Sequence, residues 1–142
     1  MKSNKLVKTM VTILVVIALI GTVALIAVMK LTGQKETGAP SVDEIVESSF
    51  DIPDITTNLA DGSYVKVSFK IQTDSKDGKE EAEKRDFQIK NIIIEELAEM
   101  KAENFKGKKG MIALEERLKQ QINQVMQEGK VEQVYITSFI LQ

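Results

Sequence analysis

Glu80, Glu81, Glu83, Glu95, Glu96 and Glu99 are the residues whose type and density suggest chemistry, because clustered carboxylates are what a divalent cation takes as ligands. The stretch TDSKDGKEEAEK (73–84) sharpens the question, since Asp77-Gly78 stands in the register of a calcium loop. In that register Thr73 takes the first ligand position and Lys84 the twelfth, where a bidentate acid is required. The match fails, and a solvated helix face accounts for the acids better. FKGKKG (105–110) is a basic loop with the glycines that phosphate binding favours, but its spacing is wrong for a phosphate loop and it reads as a connection between helices. Ser48, Ser49, Ser63 and Ser68 have no His to activate them, and no Lys stands with them in a hydrolase motif.

Composition closes further routes. The chain has no Cys, no His and no Trp, which excludes disulfide staples, thiol chemistry, zinc sites of the Cys/His kind and His-based proton transfer. The expectation is a protein with no catalytic, cofactor-binding or metal-binding residues. The net charge of −2 conceals an asymmetry: residues 1–30 carry Lys2, Lys5, Lys8 and Lys30 and no acid. The rest holds 15 basic and 21 acidic residues, a net of −6, so it has no electrostatic footprint for nucleic acid.

The elements that would position any site begin with TMVTILVVIALIGTVALIAVM, Thr9 to Met29, 21 residues without a charge. At roughly 1.5 Å per residue such a helix spans about 31 Å, the depth of a bilayer's hydrocarbon core. Its length exceeds an ordinary signal-peptide core, Lys30 follows it directly, and no good Ala-x-Ala cleavage site is present, so an uncleaved anchor is expected. Lys2, Lys5 and Lys8 precede the span, whereas Lys30 and Lys35 follow it among the acids Glu36, Asp43, Glu44 and Glu47. Counting basic residues puts the N-terminus in the cytoplasm and the remainder outside. Gly21 with Ala18, Ala24 and Ala27 is ordinary membrane-helix composition.

The expected organisation is a cytoplasmic N-terminus (1–8), a transmembrane helix (9–29), a Gly/Thr/Ser/Pro-containing linker (30–45) and one extracytoplasmic domain (46–142). FDIPDITTNL (50–59) reads as a strand interrupted at Pro53, which marks an edge or a bulge. Asp61-Gly62 is a turn, and YVKVSFKIQT (64–73) alternates, with Val65, Val67, Phe69 and Ile71 on one face. A helix running to about Asn104 carries the stripe Ile89, Ile92, Ile93, Leu97 and Met100. Gly107 and Gly110 break it before a second helix with Met111, Leu114, Leu118, Ile122 and Val125 on one face, closed by Gly129 as a left-handed residue. The order is strand, strand, helix, helix, strand: a small α+β domain.

The last stretch, VEQVYITSFILQ (131–142), is apolar on both parities. Val134, Ile136 and Ile140 fall on one face, and Tyr135, Phe139 and Leu141 on the other. A strand covered on two sides and lying inside the sheet is expected.

Taken in order, these motifs resemble the flagellar basal-body-associated FliL family: a short basic N-terminus, one membrane span, a linker, a segment like FDIPDITTNLADGSYVKVSFKIQT, then LEERLKQQIN, a Gly-Lys-Val turn and an ending like VYITSFILQ. Asn58-Leu59, Ile122-Asn123, Gly129 with Val131, and Phe139 to Gln142 stand where that family puts them. IKNIII (89–94) replaces the family's usual Ile-Arg-Asp, and YITS (135–138) an aromatic-rich Tyr-Phe-Thr. The resemblance implies a non-enzymatic motor accessory with a stomatin-like (SPFH-like) domain. Its implied partners are the lipid bilayer, flagellar stator and basal-body proteins, and further copies of itself in a ring, without nucleic acid or small-molecule substrate. A ring needs repeating head-to-tail surfaces, and Val134, Tyr135, Ile136, Phe139, Ile140 and Leu141 are the candidate assembly residues, set against the blander and favoured reading that this strand only fills the core. The anchor-plus-domain layout alone also fits a solute-sensing module, which would need a pocket.

Overall fold

The computed structural model describes residues 3–32 and 38–142, in two compact units, Met1–Ala39 and Pro40–Gln142. Lys2, Lys35, Glu36 and the part of the expected linker from 33 to 37 lie outside the described residues.

In the first unit, helix α1 covers Ser3–Thr32. Its Asn4–Val28 stretch has a mean hydropathy of 3.0 and buries none of its side chains, so it is long and apolar enough to cross a bilayer. The threonine hydroxyls inside it are satisfied locally. The hydroxyls of Thr9, Thr12 and Thr22 donate to the carbonyls of Lys5, Lys8 and Ala18 at 2.9, 2.8 and 3.1 Å. A helix surrounded by hydrocarbon has no other acceptor to offer them.

The second unit starts with a short helix, α2 (Val42–Glu47), opened by a reciprocal cap in which the Glu44 N–H donates to Ser41 Oγ and the Ser41 N–H to the Glu44 carboxylate. Strands β1 (Ser49–Asn58), β2 (Tyr64–Thr73) and β3 (Val131–Leu141) form an antiparallel sheet in the order β1-β2-β3. Alternation in β2 sends Val65, Val67, Phe69 and Ile71 inward, and all four are fully buried. Its other face carries Lys66 and Lys70, paired with Asp54 and Asp51 of β1 at 2.7 Å. Gly62, at φ 85°, makes the β1–β2 turn, a conformation that an L side chain strains.

Helices α3 (Lys76–Lys84), α4 (Asp86–Glu99) and α5 (Gly107–Val125), with a 3₁₀ turn at Ala102–Phe105, supply the apolar stripes that meet the inner face of the sheet. Ile89, Ile93 and Leu97 of α4 and Leu114, Leu118 and Ile122 of α5 are wholly buried in one core with β2. Each such side chain contributes about 1.5–3 kcal/mol by leaving water.

Four expectations need correction. The helix expected to reach Asn104 stops at Glu99 and is divided at Arg85. Lys84 and Arg85 favour a helix end, Asp86 favours a helix start, and the two dipoles meet there. The second helix begins at Gly107, which has φ 74°, so Gly110 lies within its first turn. Gly129 is not left-handed. It is glycine because the backbone of Gly78 approaches it where a Cβ would stand. Finally, β3 is an edge strand, with β2 at the centre of the sheet.

The parity expected for β3 also fails, because its register shifts between Gln72 and Thr73 and again between Ser68 and Phe69 of its partner. Each shift inserts one residue of β3, Glu132 and Thr137, and reverses the alternation beyond it. Val131, Val134, Ile136, Phe139 and Leu141 therefore oppose the inward residues of β2, while Tyr135, Ser138 and Ile140 oppose its outward ones. In β1 a comparable shift falls between Ile52 and Ile55, at Pro53, on the other edge.

Candidate functional site

The six glutamates do not converge. Among the described residues, no three acidic, His or Cys side chains are grouped closely enough to hold a metal ion. Glu80, Glu83, Glu95 and Glu99 are solvated as expected, but Glu81 and Glu96 are 8% and 9% exposed and belong to the fold. Glu81 accepts the backbone N–H of Gln127 at 2.9 Å, that of Glu128 at 2.7 Å and Arg85 Nε at 2.8 Å. Burial pushes its pKa up, but the Glu128 and Gln127 N–H groups and the Arg85 guanidinium outweigh this and hold it at about 2. Glu96 joins α4 to α5 by accepting from Arg117 Nε at 2.8 Å and Gln121 Nε2 at 2.7 Å.

The other motifs are equally committed. In the 73–84 stretch Ser75 caps α3 through the Gly78 N–H, and Asp74 accepts the Lys130 N–H at 3.2 Å. The Ser48 and Ser49 hydroxyls donate to the Ile45 carbonyl, Ser63 lies in the turn, and Ser68 donates to Asp54, whose carboxyl is held below its usual range by Lys66 and Ser68. FKGKKG joins the 3₁₀ turn to α5, with Lys106, Lys108 and Lys109 exposed. A shallow cleft of about 370 Å³ lies beside exposed Phe87, and its buried charge is Glu81, already engaged.

What remains is β3, and the structure divides its six candidate residues. Val134 is buried, and Ile136 and Phe139 pack against the core, the Phe139 ring 5.0 Å from that of Phe105. Tyr135, Ile140 and Leu141 are 41%, 47% and 37% exposed. Tyr135 uses its hydroxyl on Gln72 Oε1 at 3.0 Å.

Two residues of α5 bond to the free edge of this strand: Asn123, which the sequence marked only as half of the Ile122-Asn123 pair, and Glu115, which it did not mark. Asn123 accepts the Val131 N–H at 2.7 Å and donates to its carbonyl at 3.0 Å, as a neighbouring strand would. Glu115 accepts the Ile136 N–H at 3.0 Å. The available signal was two polar residues, two turns apart, flanking the apolar stripe of LEERLKQQIN.

The structure thus leaves Tyr135, Ile140 and Leu141 exposed on the edge strand of a small α+β domain, and comparison with known proteins gives that domain a family. The model of the flagellar basal body-associated protein FliL matches residues 49–142. The chain belongs to the FliL family. The flagellar protein FliL of Bacillus subtilis (strain 168) is 49% identical over 109 residues, covering 77% of this chain and 78% of that one. The flagellar protein FliL of Aquifex aeolicus (strain VF5) is 28% identical over 93 residues, 63% of this chain and 58% of that protein. The FliL match begins at the first residue of β1 and takes in the whole sheet and α3 to α5.

Proposed function

We propose that this protein is a non-enzymatic accessory of the flagellar basal body, held in the cell membrane by α1. Its short N-terminus lies in the cytoplasm and residues 46–142 lie outside. Copies assemble as a ring around the stator units and support motor torque, swimming and swarming. The FliL match over 49–142 carries this reading. The exposed apolar helix ahead of the matched region supports the anchor, and Lys2, Lys5 and Lys8 before the span support the orientation. The ring and the stomatin-like kinship of the domain rest on the resemblance to the family. A solute-sensing role is weaker, because the buried charge beside the cleft already serves the fold.

Deleting the gene should leave growth unchanged while swimming in viscous medium and swarming on agar both decline, and restoring the full chain should recover them. Unchanged motility would overturn the proposal.

A further inference from the structure

The two edges of the sheet are built differently. The β1 edge is blunted by Pro53, which has no N–H, by the bulge at that position, and by the exposed carboxylates of Asp51 and Asp54. The β3 edge is closed over its first half by Asn123 and Glu115 of α5. Beyond Ile136 it has no charged side chain and no proline, and among the described residues no helix side chain bonds to it.

The direction of its free groups follows from the ladder. Tyr64 and Gln142 exchange both backbone hydrogen bonds at 2.8 Å, so hydrogen-bonded pairs alternate back along β3 through Ile140 and Ser138. The N–H and C=O groups of Phe139 and Leu141 must then point away from β2. Exposed Ile140 lies between them on the outer face.

The geometry points to this edge as the place where a second copy of the chain adds its own β3, antiparallel and centred on Ile140. In that register Phe139 of each copy exchanges hydrogen bonds with Leu141 of the other. The two Ile140 side chains meet directly as a non-hydrogen-bonded pair, the closer kind. Centring one residue earlier would set Ile140 against Ser138, so the apolar pattern selects the register. A self-paired strand meets its own charges, and residues 133–141 have none to oppose.

The small size of the contact also identifies the occupant. Four backbone bonds and one apolar pair fall far short of the roughly 1,200–2,000 Å² buried in a stable soluble complex. Pairing of this kind needs a partner held nearby at high effective concentration. A second copy anchored in the same membrane meets that condition. The inference therefore rests on the anchoring proposed above and narrows the assembly surface to one edge. A closed ring built from such pairs takes a second, different contact between them.

Because the native chain has no Cys, single-cysteine variants of the full chain in its membrane read the contact cleanly. Ile140→Cys, Ser138→Cys and Thr56→Cys, oxidised in isolated membranes and separated without reductant, test edge and register together. In the Ile140→Cys variant the thiols of two paired copies would stand within disulfide reach, whereas thiols at 138 or on the β1 edge would not. Dimer from Ile140→Cys should therefore exceed that from the other two variants by roughly tenfold. No dimer from Ile140→Cys, or as much from Ser138→Cys or Thr56→Cys, would overturn the inference. Motility does not enter this readout, so a failed flagellar role and a failed strand pairing are distinguishable.

Discussion

The Glu81 carboxylate accepts the backbone N–H of Glu128 at 2.7 Å, fastening the turn that enters β3 to the middle of α3. Its depressed pKa makes this bond a source of pH-dependent stability. The folded value is about 2 against an ordinary 4.5, so the stabilisation is complete above about pH 4.5 and is lost as pH falls towards 2. Glu81→Gln should cost about 1–3 kcal/mol at neutral pH. It should also flatten the fall in melting temperature over that acid range. Thermal unfolding at several pH values checks both; an acid profile unchanged by the substitution would remove Glu81 as the source.

Gly78 and Gly129 bring two backbones together at the same corner, and a Cβ on Gly129 would stand within the space of the Gly78 backbone. Gly129→Ala should therefore destabilise the domain by about 1–3 kcal/mol through overpacking. Gly62→Ala should also destabilise it, by a different route, since it opens no clash but keeps φ at 85°. Chemical denaturation of both variants separates the clash from the strain.

Leu118 is fully buried at the centre of the α5 stripe. Leu118→Ala should cost about 2–5 kcal/mol, and Leu118→Asp should leave the domain unfolded at room temperature. Circular dichroism distinguishes these outcomes; a native spectrum for the Asp variant would contradict the core assignment.

The sequence made some features legible because their causes are local. Alternation in β2, the Asp61-Gly62 turn, the break at Pro53 and the stripes of α4 and α5 each follow from residues within one element or turn. The edge position of β3 was not legible. Its apolar residues occupy both parities because bulges at Glu132 and Thr137 change which parity faces the core. That pattern imitates a strand covered on both sides. Glu81 and Glu96 resembled their solvated neighbours for a related reason: apart from Arg85, four residues on from Glu81, their partners are Gln127 and Glu128 in one case and Arg117 and Gln121 in the other, all distant in sequence. Of the candidate site, the choice of β3 as a surface came from residue types and family resemblance. Its closure by Asn123 and Glu115 required the helix to be placed beside it.

An anchored domain acting by contact outside the cytoplasm can be located directly with a single thiol. Glu80 is exposed on α3, and the chain has no other Cys, so Glu80→Cys in the full chain can be treated with a membrane-impermeant maleimide. An outward-facing, anchored domain predicts labelling in intact cells of a protein that sediments with the membrane. Labelling only after lysis would contradict it.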